Sequence, residues 1–361
     1  MKNAAVENPA RSPLPVRFSI APRPSTERNN VPARSESLII RSAILFVHIM
    51  NNHCSAAVAF ASAVALAACT PMHRVGLAVA PHALYVAMGS SFAAGPGIAT
   101  TADRTPKRCA RSTGNYAHLL ASSLDLNLVD ASCSGATTDH ILGAWNELAP
   151  QIDAVRPQTA LVTITVGGND VDYIGALMAA SCRDGSSGPQ RDQVMDACRK
   201  LASMAPSSDA RQRFEASKVP ESAKWARLES NLHRINAEIK ARSPKARIIY
   251  VTYVTALPAS DLCPEVPLSA KSAETARATA ARLLETTESV ARQDHVEVFD
   301  ATSFSQGHDA CAADAWSNGF LPRTDVPPSA PYHPNAKAMQ AIADALATIL
   351  GKVPPHTDGG N

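Results

Sequence analysis

A serine in a turn of small residues is the first position in this chain with chemical potential. Ser91 lies in the sequence GSSFAAG (residues 89–95), directly after an apolar run at 84–88. Such a turn exposes the hydroxyl at a helix start, where backbone N–H groups have no intrahelical acceptor. A serine hydroxyl is a weak nucleophile and needs a base within hydrogen-bond reach. His333, in the sequence YHPN before the last predicted helix, is the candidate base, and the pair predicts covalent catalysis at a carbonyl carbon.

Two further turns contain candidate hydrogen-bond donors. Gly135 lies in DASCSGATT (residues 130–138), and Asn169 lies in VTITVGGND (residues 162–170). Attack by Ser91 on a carbonyl builds an oxyanion. The backbone N–H groups of Ser91 and Gly135 and the side-chain amide of Asn169 are the predicted donors to it. Loss of one such donor typically costs about 2.7–4 kcal/mol of transition-state stabilisation.

Four blocks thus carry the candidate residues: the turns around Ser91, Gly135 and Asn169 and the segment around His333. The short apolar runs and helical stretches that alternate along the chain must bring these blocks together. Continuous apolar strands separated by helices predict a parallel sheet that is covered on both faces. Ligands bind beyond the carboxyl ends of such strands, which is where the blocks lie. We therefore expect an α/β fold, a three-layer α/β/α (flavodoxin-like) domain over residues 80–351 with a five-stranded parallel sheet. The predicted strands are 84–88, 126–129, 160–166, 247–254 and 296–299, and the predicted helices are 115–123, 221–241, 269–292 and 335–350.

In this order the four blocks resemble those of the SGNH, or GDSL, hydrolases. The strings YVAMGSSFAAGPGI, DASCSGATT and VTITVGGND look like the secreted, disulfide-bonded esterase/lipase branch of that superfamily, over about residues 84–350. The resemblance implies a serine carboxylic ester hydrolase that acts through an acyl-enzyme on acyl or lipid esters, without metal or cofactor. Two alternatives remain open: a carbohydrate O-acetylesterase or acyltransferase of the cell envelope, and a non-catalytic lipoprotein that retains the fold.

Two positions depart from the family pattern. Ser90 stands where the family usually has Asp, at a position that is not catalytic. Ala330 stands three residues before His333, where the family usually has the Asp that orients the histidine. The imidazole still needs an acceptor for its second N–H. The candidates are a main-chain carbonyl at Ala330 and the carboxylate of Asp325.

Six cysteines fall within the predicted domain, and counting alone allows fifteen pairings. An even number without a metal-binding pattern favours disulfides in an oxidising compartment. The resemblance implies pairing in sequence order, which gives Cys109–Cys133, Cys182–Cys198 and Cys263–Cys311. The polar stretch 181–220 is then an excursion from the sheet pinned by the second of these bonds.

The N-terminal region predicts export. Residues 1–49 are expected to be a disordered extension, and residues 50–69 are a signal-type segment that carries no charged side chain and ends in LAAC. Cys69 fits a lipidation site, with plain cleavage and an uncleaved anchor as the alternatives. The protein is thus expected to be secreted, periplasmic or attached to a membrane through a lipid anchor. Residues 352–361 are expected to form a disordered tail.

Charge excludes one class of partner. The chain carries 34 Lys and Arg residues against 32 Asp and Glu, and seven of the basic and three of the acidic residues lie in residues 1–49. The rest of the chain is therefore close to neutral and has no basic stripe, which argues against a nucleic-acid partner. We expect a monomer whose partner is its acyl ester or lipid substrate.

Overall fold

The computed structural model describes residues 78–98, 100–102, 106–204 and 218–351. These residues all lie within one compact unit, Arg74–Asn361. The predicted extension, the signal-type segment with Cys69 and the tail lie outside the described residues. None of the helices in the described part of the chain has the length and apolar character needed to cross a membrane.

Five parallel strands form the central sheet in the order β2-β1-β3-β4-β5. The two central strands and β4 are buried almost throughout, which explains their unbroken apolar sequences. The edge strands β2 and β5 are short and half exposed. The predicted five-stranded parallel sheet is confirmed, with strands β1 Leu84–Gly89, β2 Asn127–Asp130, β3 Thr159–Thr165, β4 Arg247–Val251 and β5 Glu297–Phe299.

Helices cover the sheet on both faces. They are α1 Ser91–Ala94, α2 Tyr116–Leu124, α3 Thr138–Leu142, α4 Tyr173–Asp184, α5 Arg191–Met204, α6 Glu221–Arg242, α7 Ala270–Gln293, α8 Ala301–Phe304 and α9 Ala336–Leu350. Helix α2 packs against α9, and α6 packs against both α3 and α7. Crossovers between parallel strands are right-handed, and the connection from β1 to β2 runs along the sheet in the opposite direction to the later ones, so their helices lie on opposite faces. This arrangement is the expected three-layer architecture.

Three disulfide bonds join the cysteines in the pairs that the resemblance implies. They are Cys109–Cys133, Cys182–Cys198 and Cys263–Cys311. The second bond ties α4 to α5, in the excursion expected at 181–220. The first bond holds the start of the loop after β2, only two residues before Gly135.

Candidate active site

Ser91 and His333 meet although 242 positions separate them along the chain. The Ser91 hydroxyl lies 2.7 Å from the Nε2 atom of His333. Ser91 is the first residue of α1, directly beyond the carboxyl end of β1. His333 lies in the loop that precedes α9. The two residues therefore have the geometry that the predicted nucleophile–base pair requires at this edge of the sheet.

A glycine makes the serine turn possible. Gly89 has a φ of +137°, and a Cβ atom there would clash with the carbonyl oxygen of Thr165 on β3. The close approach lets the N–H of Ser90 donate to that same oxygen at 2.9 Å. The turn is thus fastened to the neighbouring strand, and Ser91 starts α1 with its N–H free of any intrahelical acceptor.

The imidazole of His333 is oriented by a peptide carbonyl. Its Nδ1 atom lies 2.8 Å from the carbonyl oxygen of Pro331. Because a carbonyl only accepts, Nδ1 carries the proton and Nε2 is the acceptor that faces Ser91. The ring is only 5% exposed and lies 4.9 Å from the ring of Phe92. Burial lowers the pKa of His333 to about 4, against the opposing effect of the Pro331 carbonyl, so the base is neutral at pH 7.

The orienting carbonyl belongs to Pro331 and not to Ala330, which corrects the expectation from sequence. The carbonyl of Ala330 instead accepts the backbone N–H of His333 at 3.1 Å. Tyr332 has a φ of +59°, and this bend turns the Pro331 carbonyl back toward the ring. Asp325 is not placed at the imidazole: its exposed carboxylate pairs with Arg323 at 2.6 Å, which lowers the pKa of Asp325.

The second and third blocks meet beside the serine turn. The side-chain amide of Asn169 donates to the carbonyl of Ala136 at 2.9 Å, which fixes it against the loop that contains Gly135. An amide nitrogen carries two hydrogens, so one remains for a ligand. Gly135 is exposed and has a φ of +86°. The three predicted donors, from Ser91, Gly135 and Asn169, therefore lie on adjacent turns at one edge of the sheet.

Asp170 locks these two turns together, a role that sequence reasoning missed. Its carboxylate accepts both the backbone N–H and the hydroxyl of Thr138, and Asn231 donates to the same hydroxyl at 2.9 Å. Burial raises the pKa of Asp170 to about 7, although the hydrogen bonds from Thr138 oppose that rise. The block containing Asn169 is thus anchored to the block containing Gly135 by a buried acid.

Trp145 supports Gly135 from outside the four blocks. A Cβ atom at Gly135 would lie 3.2 Å from the indole ring, so this backbone rests against the tryptophan. The imidazole of His140 stacks on that ring at 4.2 Å, and the guanidinium of Arg108 lies 3.8 Å from its centre. Trp145 belongs to none of the four blocks identified in the sequence. No local pattern relates it to a glycine ten residues earlier.

Tyr253 connects the serine turn to the turn of Asn169. Its hydroxyl accepts the backbone N–H of Gly168 at 2.8 Å and lies 3.4 Å from the hydroxyl of Ser90. Its ring packs 4.5 Å from that of Phe92. The residue follows β4, so its contribution depends on the order of the strands in the sheet. The sequence contains no signal for it beyond its position at a strand end.

A parallel sheet with a hydrogen-bonded serine–histidine pair at its carboxyl edge is an arrangement typical of α/β serine hydrolases. Residues 87–341 match the GDSL-like lipase/acylhydrolase family. Lipase 2 from Streptomyces coelicolor is 30% identical over 288 residues, which cover 77% of this chain and 90% of that protein. The chain belongs to the GDSL-like lipase/acylhydrolase family and is a carboxylic ester hydrolase, a lipase or esterase, which confirms the predicted class.

Solved structures agree on the fold. An extracellular lipase from Streptomyces rimosus matches with a TM-score of 0.55 at 23% identity, over 75% of this chain and 100% of that chain. Phospholipase A1 from Streptomyces albidoflavus matches with a TM-score of 0.54 at 21% identity, over 75% of this chain and 98% of that chain. Both likenesses establish the common α/β architecture.

Proposed function

We propose that this protein is an exported serine lipase or esterase that works through a Ser91–His333 dyad. The observation that carries the proposal is the chain of two hydrogen bonds from Ser91 to His333 at 2.7 Å and from His333 to the carbonyl of Pro331 at 2.8 Å. A nucleophile bonded to a base that is itself oriented by a third group is the arrangement required for covalent acyl transfer.

The dyad hydrolyses an ester in two steps. The Ser91 oxygen attacks the carbonyl carbon while its proton passes to Nε2 of His333. The oxyanion receives hydrogen bonds from the N–H groups of Ser91 and Gly135 and from the amide of Asn169. The alcohol leaves with the proton from His333, and the acyl group remains on Ser91. Water then attacks the acyl-enzyme with the same proton transfers, which releases the acid and restores the serine.

Active-site substitution tests this assignment. Ser91→Ala and His333→Ala should each lose nearly all turnover of p-nitrophenyl butyrate, since removal of the catalytic serine costs about a millionfold in subtilisin. Ser90→Ala is the matched control, because it removes the neighbouring hydroxyl and leaves Ser91 in place. A fluorophosphonate probe should label Ser91 in the wild type. Labelling or turnover that survives in Ser91→Ala would assign the nucleophile to another residue.

Acyl or lipid esters are the proposed substrates. The relatives named above are lipases and a phospholipase A1, which favours this class over sugar acetates. A p-nitrophenyl ester series from acetate to palmitate separates the alternatives. Rising activity with chain length supports a lipase-like esterase, strict preference for acetate supports a carbohydrate O-acetylesterase or acyltransferase, and absence of turnover supports a non-catalytic protein.

The proposed location is outside the cytoplasm, and the three disulfide bonds of the described residues support it. The similar protein from Streptomyces rimosus is named an extracellular lipase. We further propose that Cys69 is the site of a lipid anchor. Replacing Cys69 by Ser should then move the exported protein from the membrane fraction to the soluble fraction, and a variant that stays on the membrane would favour an uncleaved anchor.

A further inference from the structure

A cavity of about 630 Å³ lies beyond the carboxyl end of β4. The segment 252–259, one side of α7 and the segment 302–309 enclose it. This volume falls within the range of about 300–1,000 Å³ that small-molecule pockets occupy. None of the catalytic steps described above uses the cavity.

The cavity shares a wall with the active site. Tyr253 lines it, and the same side chain holds the N–H of Gly168 and packs against Phe92, the residue after Ser91. Tyr173, four residues after Asn169, also lines it, and its ring lies 6.1 Å from that of Tyr253. The cavity is therefore separated from the catalytic serine by the width of one or two aromatic side chains.

The chemistry of the walls selects an apolar ligand. Aliphatic side chains form much of the surface, among them Val254, Leu257, Leu283 and Leu284. The threonines that line the cavity are bonded within the protein. Thr255 donates its hydroxyl to the carbonyl of Thr302 at 2.9 Å, and Thr302 donates its own to the carbonyl of Tyr253 at 2.7 Å.

The two charged residues in the wall are also engaged by the protein. The guanidinium of Arg277 donates to the carbonyls of Pro258 and Ser260, at 2.6 Å and 3.0 Å. The carboxylate of Asp309 accepts the N–H of Cys311 at 2.9 Å. The two contacts of Arg277 fasten the loop at Pro258 and Ser260 to α7. Two of the five guanidinium donors of Arg277 are thus taken by the loop, and the lining is otherwise rich in alanine and leucine, which favours a hydrocarbon over a charged ligand.

We propose that this cavity holds the distal part of the acyl chain of an ester whose carbonyl carbon lies at Ser91. The chain passes along the Tyr173–Tyr253 pair and enters between the segment 252–259 and α7. The inference rests on the proposed esterase function and adds a chain-length preference to it. Each further methylene buried should raise kcat/KM by about fourfold until the cavity is filled.

A pair of alanines on α7 allows a matched test. Ala281 lines the cavity and is exposed, while Ala278 is exposed on the same helix and does not line the cavity. Phenylalanine at position 281 should obstruct the cavity with little effect on folding. The variants Ala281→Phe and Ala278→Phe are compared with the wild type on p-nitrophenyl esters from acetate to palmitate. A deeper variant, Ala280→Phe, fills the half-buried part of the wall.

The expected result is a change in chain-length preference alone. Ala281→Phe and Ala280→Phe should lower kcat/KM for laurate and palmitate by about tenfold or more, the loss of at least two buried methylenes, and leave acetate and butyrate unchanged. Ala278→Phe should behave as the wild type at every length. Equal chain-length profiles in all three variants, or an equal loss at every length, would overturn the cavity assignment. Failure of the esterase function itself is recognised separately, by turnover that persists in Ser91→Ala.

Discussion

The Nδ1 atom of His333 lies 2.8 Å from the carbonyl oxygen of Pro331, two residues earlier in the chain. A peptide dipole thus occupies the position that a carboxylate takes in a serine–histidine–aspartate triad. The dipole fixes the tautomer of the imidazole, which is the geometric part of the triad acid's role. It offers a partial charge to the imidazolium that forms during turnover, where a carboxylate would offer a full one.

Asp325→Asn should retain most of the wild-type kcat. The carboxylate of Asp325 is exposed and pairs with Arg323, so its removal leaves the hydrogen bond between His333 and Pro331 in place. Where an aspartate does orient the base, the asparagine replacement lowers kcat by about four orders of magnitude. Steady-state kinetics on p-nitrophenyl butyrate measures the effect. A loss of about a thousandfold in a variant with unchanged circular dichroism would identify Asp325 as the acid.

The acid limb of the kcat/KM profile should fall near pH 4. Burial lowers the pKa of His333 from an ordinary value of 6.5 to about 4. The imidazole of the free enzyme therefore stays neutral, and able to accept a proton, down to about pH 4. Rates on a p-nitrophenyl ester between pH 3.5 and 8 measure this limb. Asp170→Asn is the control, because it removes the other active-site group that titrates in this range, the Asp170 carboxyl with a pKa of about 7. A limb near pH 6.5 in both proteins would contradict the prediction.

Stability against pH should show two opposing contributions from the active site. The pKa of Asp170 is raised to about 7, so its stabilising contribution is complete below about pH 4 and is lost as the pH rises through 7. The pKa of His333 is lowered to about 4, so its contribution is present above pH 6.5 and is lost as the pH falls through 4. Between pH 4 and 6.5 the two trends offset each other in the wild type.

Single variants separate these contributions. Urea unfolding of Asp170→Asn should show the free energy of unfolding rising from pH 4 to 6.5 more steeply than in the wild type, because only the contribution of His333 remains. His333→Gln should show the opposite change, a fall between pH 4 and 7. Each divergence is on the order of 3–4 kcal/mol at most. Parallel curves for both variants and the wild type would show that neither group titrates as assigned.

Trp145→Ala should lower kcat with little change in KM. The indole ring supports the backbone of Gly135, so without the ring the N–H of Gly135 is no longer held in position. This N–H is a proposed oxyanion donor, and such a donor is needed most in the transition state. The upper limit is the effect of losing one donor, about 100–1,000-fold. Trp145→Phe keeps an aromatic surface at this position and should restore part of the rate.

Trp225→Ala is the matched control for this prediction. Trp225 is also buried and also packs under a guanidinium, with Arg282 at 4.3 Å from its ring, but it lies on α6 and belongs to a different cluster of buried residues from Trp145. The two alanine variants should lose similar stability, which thermal unfolding measures. A similar loss of kcat in Trp225→Ala would show that general destabilisation, and not the position of Gly135, explains the effect of Trp145→Ala.

The order of the four blocks along the chain was enough to predict the fold and to propose Ser91 and His333 as a nucleophile–base pair. Apolar β-branched strands end in small-residue turns, and parallel strands place all such turns at one edge. Ser91 and Asn169 were therefore identifiable as candidates from strand ends, and His333 from its position before the last helix and from the resemblance. The disulfide pairs were identifiable from the resemblance only, since six cysteines by themselves allow fifteen pairings.

The tertiary structure alone decided how the site is supported. Whether the Ala330 or the Pro331 carbonyl reaches the imidazole depends on one positive φ at Tyr332, which no local pattern in that segment predicts. The contacts of Trp145 with Gly135 and of Tyr253 with Gly168 join residues that meet only when the layers assemble. The local sequence pattern shows which residues follow the ends of strands. Which side chains hold those residues in place depends on packing between elements that are distant in the sequence.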